Sequence, residues 1–414
     1  MPTPPADLVN EARRFAERQR EPLVDLCREL VAARSDQPEG NTTRPAAVLA
    51  AYLRREGLVP ELRAAVPDKP NLVCTAGAGG RHLVLNGHLD TLPEGAPGEW
   101  TVPPFALGRT GGRLTGLGIG NMKAGTAALA VAFAFLARRP ELSEGRLTYT
   151  AVADEVVFGP HGAAYLLDTD PGLLADAVLN AEGPGDLGVA VAEKGLLWVE
   201  LRVAVPPGQG MLTRRGSSAV ARLAALLTTL DAWNDELFAM PPAIAAVAAH
   251  AGPDGARLSV NVGRIEGGHL VSQVATEVRA QIDFRLPPGL TIAELSARLD
   301  ALVATVPAAS WRVLKGWDAN WTDLASPIVA SVAAAAEAVR GVARPVVRLP
   351  ASDAARWRMR GVPAVCFGPQ PTAASGPDDN VREQDAVDCV AITVVAALGF
   401  LRGNGDRPTP RAPG

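Results

Sequence analysis

The chain has 414 residues, of which 48% are hydrophobic and 20% charged, so it can bury a sizeable core and is long enough for more than one domain. Its formal net charge is −4, and no run of Lys and Arg interleaved with aromatic residues occurs. These features exclude an extended nucleic-acid-binding surface and predict a soluble globular protein.

The cysteines and the apolar segments bear on the cellular compartment. The four cysteines are scattered and lack CxxC spacing, which favours small buried side chains in a reducing cytoplasm over a disulfide framework or a thiolate zinc site. The first residues, MPTPPADLVNEARRF, contain no basic segment followed by an apolar one. The runs AALAVAFAFLA and CVAITVVAALGFL are shorter than the roughly 20 residues of a membrane span. We therefore predict a cytoplasmic protein that has no membrane partner, with both runs as buried helices.

In the first part of the chain, hydrophobic periodicity predicts helices that alternate with short strands. The predicted helices are 10–35, 45–57, one starting near Met122 and one around 161–168. The predicted strands are NLVCTA, HLVLNGHLD, RLTYTAVADE and AVLNAEG. This alternation indicates an α/β fold with a mostly parallel mixed sheet flanked by helices.

From about residue 197 the order of elements changes to β-α-β-β-α, which is typical of a small α+β insert. Its predicted segments are LLWVELRVAV, SSAVARLAALLTTLDAW, ARLSVNVGRIEG, EVRAQIDFRL and TIAELSARLDALVAT. After about residue 310 the α/β alternation resumes with helix 326–340, strands PVVRLP and VPAVCFGP, and a helix near 385–402. The predicted α/β domain has two parts, 1–196 and 309–402. The inserted lid domain is predicted at 197–308, and a disordered tail at 403–414.

The segment GHLDTLPEG places His88 two residues before Asp90 at the end of a predicted buried strand. A carboxylate at this spacing can orient or polarise the imidazole. Taken alone, however, a His-x-Asp pair more often belongs to a structural, hydrogen-bonded histidine.

Further motifs accompany this pair in a fixed order along the chain. They are GHLDTLP, PPF, GLGIGNMKAG, ADEVVFG, NAEGPG, VNVGRIEGG, DFRLPPG and FGP. Together they resemble the dizinc family of aminoacylases, acetylornithine deacetylases, succinyl-diaminopimelate desuccinylases and glutamate carboxypeptidases. The resemblance runs from about residue 15 to 402. It implies a zinc-binding α/β domain interrupted by a lid domain that often dimerises, and hydrolysis of amide bonds in N-acyl amino acids or peptides.

Part of the family's catalytic set is present in this sequence. By resemblance, His88 is a ligand of the first zinc and Asp90 its partner. Glu182 is the carboxylate that completes the protein ligands of that ion, and Glu155 is the general base. We therefore predict His88, Asp90 and Glu155 as catalytic residues.

Four positions depart from the family pattern. Asn121 replaces the aspartate that bridges the two metals, and Val156 replaces the glutamate ligand of the second zinc. Ser375 falls at the last histidine ligand, and Gln209 at the lid histidine that polarises the scissile carbonyl. Valine cannot coordinate a metal, and neutral Asn and Ser attract a divalent cation less than the charged ligands do.

These departures predict that the protein has no metal cofactor. A residual single zinc, if one is bound, would use His88, Glu182 and Asn121. His161, Asp378 and Asp379 lie close enough in sequence to replace a lost ligand, although a helix-start residue and solvated or capping groups are the simpler interpretations.

The pocket is still expected to bind a small amino-acid-like molecule. Arg285, in IDFRLPPG, matches the lid arginine that grips a substrate carboxylate, and its fork-shaped guanidinium suits that role, although a surface salt bridge explains it equally well. Asp353 matches a loop near the substrate end of the pocket. The predicted substrate-binding residues are Arg285, Glu182, Asn121, Gln209, Ser375 and Asp353.

Three hypotheses about function follow. The first is a metal-independent enzyme, possessing Glu155 and His88 as acid–base groups, that performs cyclisation, elimination, isomerisation or acyl transfer on an amino-acid or N-acyl amino-acid derivative, for instance in secondary metabolism. The second is a residual one-metal amidohydrolase of N-acyl amino acids or dipeptides. The third is a non-catalytic protein that binds a ligand or a partner. The family resemblance also implies a homodimer formed through the lid domain.

Overall fold

The computed structural model describes residues 3–185, 188–371 and 376–402. These residues form two compact units. The first unit takes the described residues up to Val191, the segment Trp321–Val346 and the described residues from Ser352 onward. The second unit consists of Ala192–Asn320 and Val347–Ala351. The predicted tail 403–414 lies outside the described residues.

The helices, in chain order, are α1 (Ala6–Arg18), α2 (Arg20–Ala32), α3 (Thr43–Arg55), α4 (Ala124–Leu136), α5 (Ala163–Thr169), α6 (Ala219–Asp231), α7 (Ala245–Ala256), α8 (Ile292–Ala304), α9 (Pro327–Arg340), α10 (Ala354–Arg358) and α11 (Glu383–Leu401).

The strands are β1 (Glu61–Arg63), β2 (Asn71–Gly77), β3 (His82–His88), β4 (Gly108–Thr110), β5 (Arg113–Thr115), β6 (Arg146–Val152), β7 (Ala177–Asn180), β8 (Val189–Glu193), β9 (Gly195–Ala204), β10 (Ser259–Gly267), β11 (Glu277–Leu286), β12 (Ala309–Trp317), β13 (Asn320–Trp321), β14 (Pro345–Arg348), β15 (Ala364–Cys366) and β16 (Asn380–Arg382).

The large sheet has the strand order β1-β2-β6-β3-β7-β15-β8-β13, and β14 pairs with β8. Its centre is parallel, since β3 pairs in parallel with both β6 and β7, and β7 with β15. Antiparallel pairs flank this centre at β2–β6 and β15–β8. The expected fold class, a mostly parallel mixed sheet flanked by helices, is confirmed. Since β6, β3 and β7 run in the same direction, the residues that follow them meet at one edge of the sheet.

The most apolar helices pack in the interior of the first unit, as expected from their composition. Every residue of α4 except Phe135 is buried, and α11 is buried over most of its length. By length and composition alone, 119–136 and 383–401 could span a membrane, but 89% and 78% of these windows lie inside the protein, which makes them weak evidence for a span. Core helices pass the same test.

The predicted helix 10–35 is interrupted. α1 ends at Arg18 and α2 begins at Arg20, with Gln19 between them at φ −88° and ψ 2°. The apolar periodicity of the two helices is similar, so the sequence pattern does not mark the break.

The second unit is built on the four-stranded antiparallel sheet β10-β11-β9-β12. One face of this sheet packs against α6 and α8 through a core that includes Val199, Leu226 and Leu299. A capping box at Thr291 and Glu294 starts α8.

The boundaries of this unit differ from the predicted 197–308. β12 pairs with β9, so the unit continues to Asn320, and it begins at Ala192. The sequence of β12, ASWRVLKGW, alternates apolar and polar residues only as far as Val313, and its register with β9 shifts between Val313 and Lys315.

Candidate active site

His88 is the last residue of β3, and its side chain is fully buried. Its Nδ1 atom lies 2.9 Å from the main-chain carbonyl oxygen of Asp90. Because a carbonyl oxygen can only accept a hydrogen bond, Nδ1 carries a hydrogen and donates it. The Nε2 atom is therefore the nitrogen at which this imidazole can gain or lose a proton.

Two carboxylates face the Nε2 atom of His88. The nearest oxygen of Glu155 is 3.6 Å away and that of Glu182 is 3.8 Å away. Glu155 follows the end of β6 and Glu182 follows the end of β7, so the parallel register of the central strands places them on either side of His88. All three side chains are buried.

Close packing of α4 fixes the position of Glu182. A Cβ atom on Gly125 would lie 2.6 Å from the carbonyl oxygen of Ala181, so only glycine allows the helix to approach this strand end. The main-chain N–H of Glu182 also donates to the side-chain oxygen of Asn180, at 2.8 Å.

Asp90 has a different role from the one that a His-x-Asp pair suggests. Its carboxylate accepts hydrogen bonds from the main-chain N–H groups of Glu155 and Val156, both at 3.0 Å, and from the Gln37 amide at 2.9 Å. The carboxylate lies 3.7 Å from Nδ1 of His88, farther than the Asp90 carbonyl oxygen. Asp90 therefore orients His88 through its main chain and holds the Glu155 loop through its side chain, which makes it a positioning residue.

Asn121 lies directly against His88, with its Oδ1 atom 3.2 Å from Nε2. It belongs to an irregular turn at 119–123 that precedes α4, and the Asn121–Met122 peptide is cis. The turn starts at Gly118, where φ is +74° and a Cβ atom would lie 2.1 Å from the Thr91 side chain. Glycine is therefore required at this position.

An amide at position 121 can bond to His88 in either protonation state. Its oxygen accepts a hydrogen from Nε2 of the imidazolium, and its NH₂ group, if turned toward the ring, donates to Nε2 of the neutral imidazole. An ionised aspartate could only accept. Asn121 therefore suits a histidine that exchanges a proton.

Asp353 joins the buried polar cluster formed by His88, Glu155, Glu182 and Asn121. It lies just before α10, and the Asn86 amide donates to its carboxylate at 3.3 Å. Burial raises the pKa of Asp353 to about 7; the positive charge of protonated His88 lowers it, and the neighbouring Glu182 carboxylate raises it. At neutral pH this carboxyl can therefore hold a proton beside His88 and Glu182.

Two buried ionisable residues support the turn at Asn121: Asp379, which the sequence suggested only as a replacement ligand, and Lys123, which the sequence did not single out. Asp379 accepts from the Gly120 main-chain N–H at 3.1 Å, and burial raises its pKa to about 7. The ammonium of Lys123 donates to the Ala33 carbonyl oxygen at 3.2 Å, and burial lowers its pKa to about 7. A lysine inside GIGNMKAG, next to an apolar helix, was the available sequence signal for this buried charge.

The suggested replacement ligands lie elsewhere. The main-chain N–H of His161 donates to Asp154, and its carbonyl oxygen accepts from Asn71. Asp378 accepts from the main-chain N–H of Thr101. Asp379 supports the Asn121 turn, as described above, and does not belong to the group of His88, Glu155 and Glu182.

Of the remaining predicted residues, two make described contacts within their own unit. Gln209 and Arg285 belong to the second unit. Gln209 forms an isolated bridge with Gln273, and the Arg285 guanidinium pairs with Asp283 at 2.9 Å. Ser375 lies outside the described residues.

The donor groups allow a direct test of metal binding. Within residues 3–185, 188–371 and 376–402, one group of three potential ligands occurs: His88, Glu155 and Glu182, whose ligand atoms lie within 4.8 Å of one another. Three donors fit a single divalent ion. They do not fit a pair of ions, because Val156 offers no donor atom and Asn121 is uncharged.

Comparison with known proteins identifies relatives over most of the chain. A profile of peptidase family M20/M25/M40 matches residues 84–398. The chain is 29% identical over 307 residues to a succinyl-diaminopimelate desuccinylase of Methylocella silvestris, covering 69% of this chain and 74% of that protein. It is 29% identical over 303 residues to an acetylornithine deacetylase of Proteus mirabilis, covering 69% and 72%.

Solved structures share the fold at lower identity. A di-peptidase of Saccharomyces cerevisiae has a TM-score of 0.75 at 11% identity, covering 96% of this chain and 99% of that one. Human carnosine dipeptidase 1 has a TM-score of 0.74 at 14% identity, covering 97% and 100%. A Bacillus subtilis protein described as a dinuclear metal-binding peptidase has a TM-score of 0.62 at 16% identity, covering 94% and 98%.

Proposed function

This chain belongs to peptidase family M20/M25/M40, and we propose that its site performs metal-independent acid–base chemistry on a small amino-acid or N-acyl amino-acid derivative. The observation that carries the proposal is the contact between Asn121 and Nε2 of His88, at 3.2 Å. A neutral amide occupies the side of the imidazole that the resemblance assigns to a metal ion. The neighbouring Val156 supports the same interpretation, since it adds no donor.

In this proposal Glu155 accepts a proton from the substrate, and Nε2 of His88 delivers one. The two groups lie 3.6 Å apart, so each can reach the same substrate atom or adjacent ones. Asp90 keeps the Nδ1 hydrogen of His88 in place through its carbonyl oxygen, which leaves Nε2 as the exchanging atom. Cyclisation, elimination, isomerisation and acyl transfer each include proton transfers that such a pair is able to perform.

The charge of the buried cluster gives the proposal an electrostatic basis. Glu155, Glu182 and Asp353 bring three carboxyl groups to one buried region. Without a cation, repulsion between like charges in a buried region favours protonation of one of the three carboxyl groups. The pKa of Asp353, which burial raises to about 7, is consistent with a proton held there.

A residual one-metal hydrolase is the second candidate, favoured by the three donors within 4.8 Å. His88, Glu155 and Glu182 would hold the ion, a set that differs from the predicted His88, Glu182 and Asn121. A divalent ion would supply Lewis-acid polarisation of a substrate carbonyl. If Glu155 were a ligand, the site would need a different base.

Elemental analysis of the purified protein, paired with thermal unfolding in the presence of zinc, separates the two candidates. Metal-independent chemistry predicts less than about 0.1 metal ion per chain and no zinc-dependent stabilisation. Stoichiometric metal, or a clear stabilisation by zinc, would contradict the proposal and support the one-metal hydrolase.

The variant Glu155→Gln tests the base directly against a panel of N-acyl amino acids. We expect turnover to persist in the presence of a chelator and to fall by about 10²- to 10⁴-fold in this variant. Glu144→Gln, in the short helical turn before β6, is the matched control and should leave turnover unchanged. Full turnover by Glu155→Gln would refute the role of Glu155, and ligand-induced stabilisation without turnover would indicate a binding protein.

The formation of a homodimer through the lid domain stays a prediction.

A further inference from the structure

One buried side chain holds both ends of the loop that carries Glu155. The main-chain N–H of Ala153 donates to Oδ1 of Asn71 at 2.9 Å, and Nδ2 of Asn71 donates to the main-chain oxygen of His161, also at 2.9 Å. Asn71 is the first residue of β2 and is fully buried. The two ends of residues 153–161, the Glu155 loop, are therefore fixed to the start of β2.

Asp154, the residue directly before Glu155, fixes the shape of this loop. Its φ is +64°, in the left-handed region that non-glycine residues rarely adopt. Its main-chain oxygen accepts from the N–H of Gly159 at 2.8 Å, and its carboxylate accepts from the N–H of His161 at 3.2 Å. A Cβ atom on Gly159 would lie 1.8 Å from this carboxylate, so the loop closes around the Asp154 side chain.

The ammonium of Lys69 pairs with the Asp154 carboxylate at 2.6 Å. The side chain of Asp154 is 2% exposed and that of Lys69 is 16% exposed, so water and salt screen this ion pair little. Loss of the cation would leave a buried, uncompensated carboxylate, which is unfavourable unless the carboxylate turns toward solvent or takes up a proton. Either change alters the residue that precedes Glu155.

The segment that supplies Lys69 is itself held in place. Lys69 lies two residues before Asn71, and the Thr42 hydroxyl donates to the carbonyl oxygen of the intervening Pro70 at 2.8 Å. The main-chain N–H of Lys69 donates to the Val66 carbonyl oxygen at 3.1 Å. The ammonium therefore reaches Asp154 from the same anchored segment that holds the two ends of the loop.

We propose that Lys69 is a positioning residue for Glu155. Its ammonium keeps the Asp154 carboxylate inside the loop, and the loop directs the Glu155 carboxylate toward Nε2 of His88. Lys69 acts through Asp154, on the residue before the base. The inference rests on the proposed function for the role of Glu155 as the base, whereas the loop and its ion pair do not depend on that role.

Hydrogen exchange of the full chain without substrate, followed by mass spectrometry, tests whether Lys69 holds the loop. In Lys69→Met we expect the amides of 153–161 to exchange at least about tenfold faster, and Lys69→Arg, which keeps the positive charge, to stay within about threefold of the wild type. Arg340→Met is the matched control, because it removes the cation from another partly buried ion pair, that of Arg340 with Asp385 at 2.7 Å. Loop exchange that is unchanged in Lys69→Met, or that rises equally in Arg340→Met or across the whole chain, would overturn the proposal.

The variant Asp154→Asn shows whether Lys69 acts through Asp154. The amide keeps an acceptor for the His161 N–H but loses the charge that pairs with the ammonium. Adding Lys69→Met to this variant should therefore change loop exchange by less than about twofold. Independent effects, whose fold-changes multiply, would overturn the proposed coupling. If Lys69→Met does not fold, Asp154→Asn alone should accelerate loop exchange about tenfold, and an unchanged rate would overturn the proposal.

Turnover of an N-acyl amino acid separates positioning from general stability. In Lys69→Met we expect kcat to fall about 10- to 100-fold and KM to stay within about threefold, because the substrate contacts remain while the base is misplaced. Lys69→Arg should restore kcat to within about threefold of the wild type. A loss confined to KM, or an unchanged kcat, would overturn the positioning role.

The exchange measurement needs neither substrate nor metal, so its outcome is separable from that of the proposed function. Faster loop exchange in Lys69→Met, together with full turnover by Glu155→Gln, would keep Lys69 as the residue that holds the loop and remove Glu155 as the base. Unchanged loop exchange in Lys69→Met, together with a large loss of turnover in Glu155→Gln, would do the reverse. If the wild type turns over none of the N-acyl amino acids, loop exchange alone supports or overturns the role of Lys69.

Discussion

Strand β3 begins with His82 and ends with His88, and both imidazoles are buried, yet their surroundings differ. The Nε2 atom of His82 meets the Thr148 hydroxyl at 2.9 Å. Burial lowers the pKa of His82 to about 4, and the charge of Arg146 adds to the decrease, so this ring stays neutral. The Nε2 atom of His88 instead faces two carboxylates and the Asn121 amide.

The comparison shows that burial alone does not determine what a histidine can do. The amino end of β3 places its imidazole beside the Thr148 hydroxyl and near the Arg146 charge, while the Asp176 carboxylate accepts a hydrogen bond from the His82 main-chain N–H, so burial and Arg146 outweigh the carboxylate charge in setting the pKa of the ring. The carboxyl end lies where β6 and β7 also end, and carboxylates from the loops that follow them converge there. The direction of the parallel strands therefore places His88, at the carboxyl end of β3, among the residues that follow β6 and β7.

The largest expected effect is that of Asp90→Asn, which disrupts the hydrogen bonds that hold the Glu155 loop beside His88. The wild-type carboxylate accepts three N–H groups, whereas an amide has one oxygen and turns an NH₂ group toward a main-chain donor. We expect the free energy of unfolding, measured with urea, to fall by about 3 kcal/mol. Asp25→Asn, in a surface ion pair with Arg28, should change it by less than about 0.5 kcal/mol. A loss equal to that of this control would contradict the positioning role of Asp90.

Asn121→Asp tests whether the amide keeps the His88 end free of metal. A carboxylate at this position adds a negative charge beside Glu155 and Glu182, which favours a divalent ion. We expect the variant to bind zinc at least about 100-fold more tightly than the wild type, as measured by calorimetry, which is equivalent to at least about 2.7 kcal/mol. Without metal, we expect the same variant to be less stable than the wild type, because like charges repel in a buried site.

The control for this prediction is Asn41→Asp. Asn41 is an exposed residue whose side chain accepts from the Thr43 main chain, so its zinc response should equal that of the wild type. If Asn121→Asp showed the same zinc affinity as Asn41→Asp, the charge at position 121 would not control metal binding.

Much of the fold follows from local sequence patterns. Strand β11 and helix α8 were predicted almost to the residue, because β11 alternates strictly and α8 has a capping box. Strands β4, β5 and β16 were missed, since each has three residues and pairs outside the large sheet. Such short strands depend on contacts made by distant segments, which periodicity does not report.

The sequence predicted which residues form the candidate site, but it did not predict the hydrogen bonds that hold them in place. The motifs selected His88, Glu155 and Glu182, which the structure brings together. They did not predict that Asp90 would hold the Glu155 loop, because main-chain N–H groups have no sequence signature. Nor did they predict that Asn86 would donate to Asp353, which is 267 positions away in the chain.

The smallest expected effect concerns the amino end of β3. The folded-state pKa of His82, about 4, lies below its unfolded value of about 6.5, so the unfolded chain binds the proton first as the pH falls. The stability associated with neutral His82 is complete above pH 6.5 and is lost between about pH 6.5 and 4. For this nearly buried ring we expect the loss to be about 2 kcal/mol.

Urea unfolding of His82→Gln at several pH values measures the contribution of neutral His82 to the free energy of unfolding. The glutamine amide can still reach the Thr148 hydroxyl but does not titrate, so its stability should fall less than that of the wild type over this interval. The difference between the two proteins should shrink by about 2 kcal/mol from pH 7 to pH 4. His269→Gln, at an exposed position, should follow the wild-type curve. Parallel curves for His82→Gln and the wild type would mean that His82 takes up a proton in the folded state, and the contrast between the two ends of β3 would then fail.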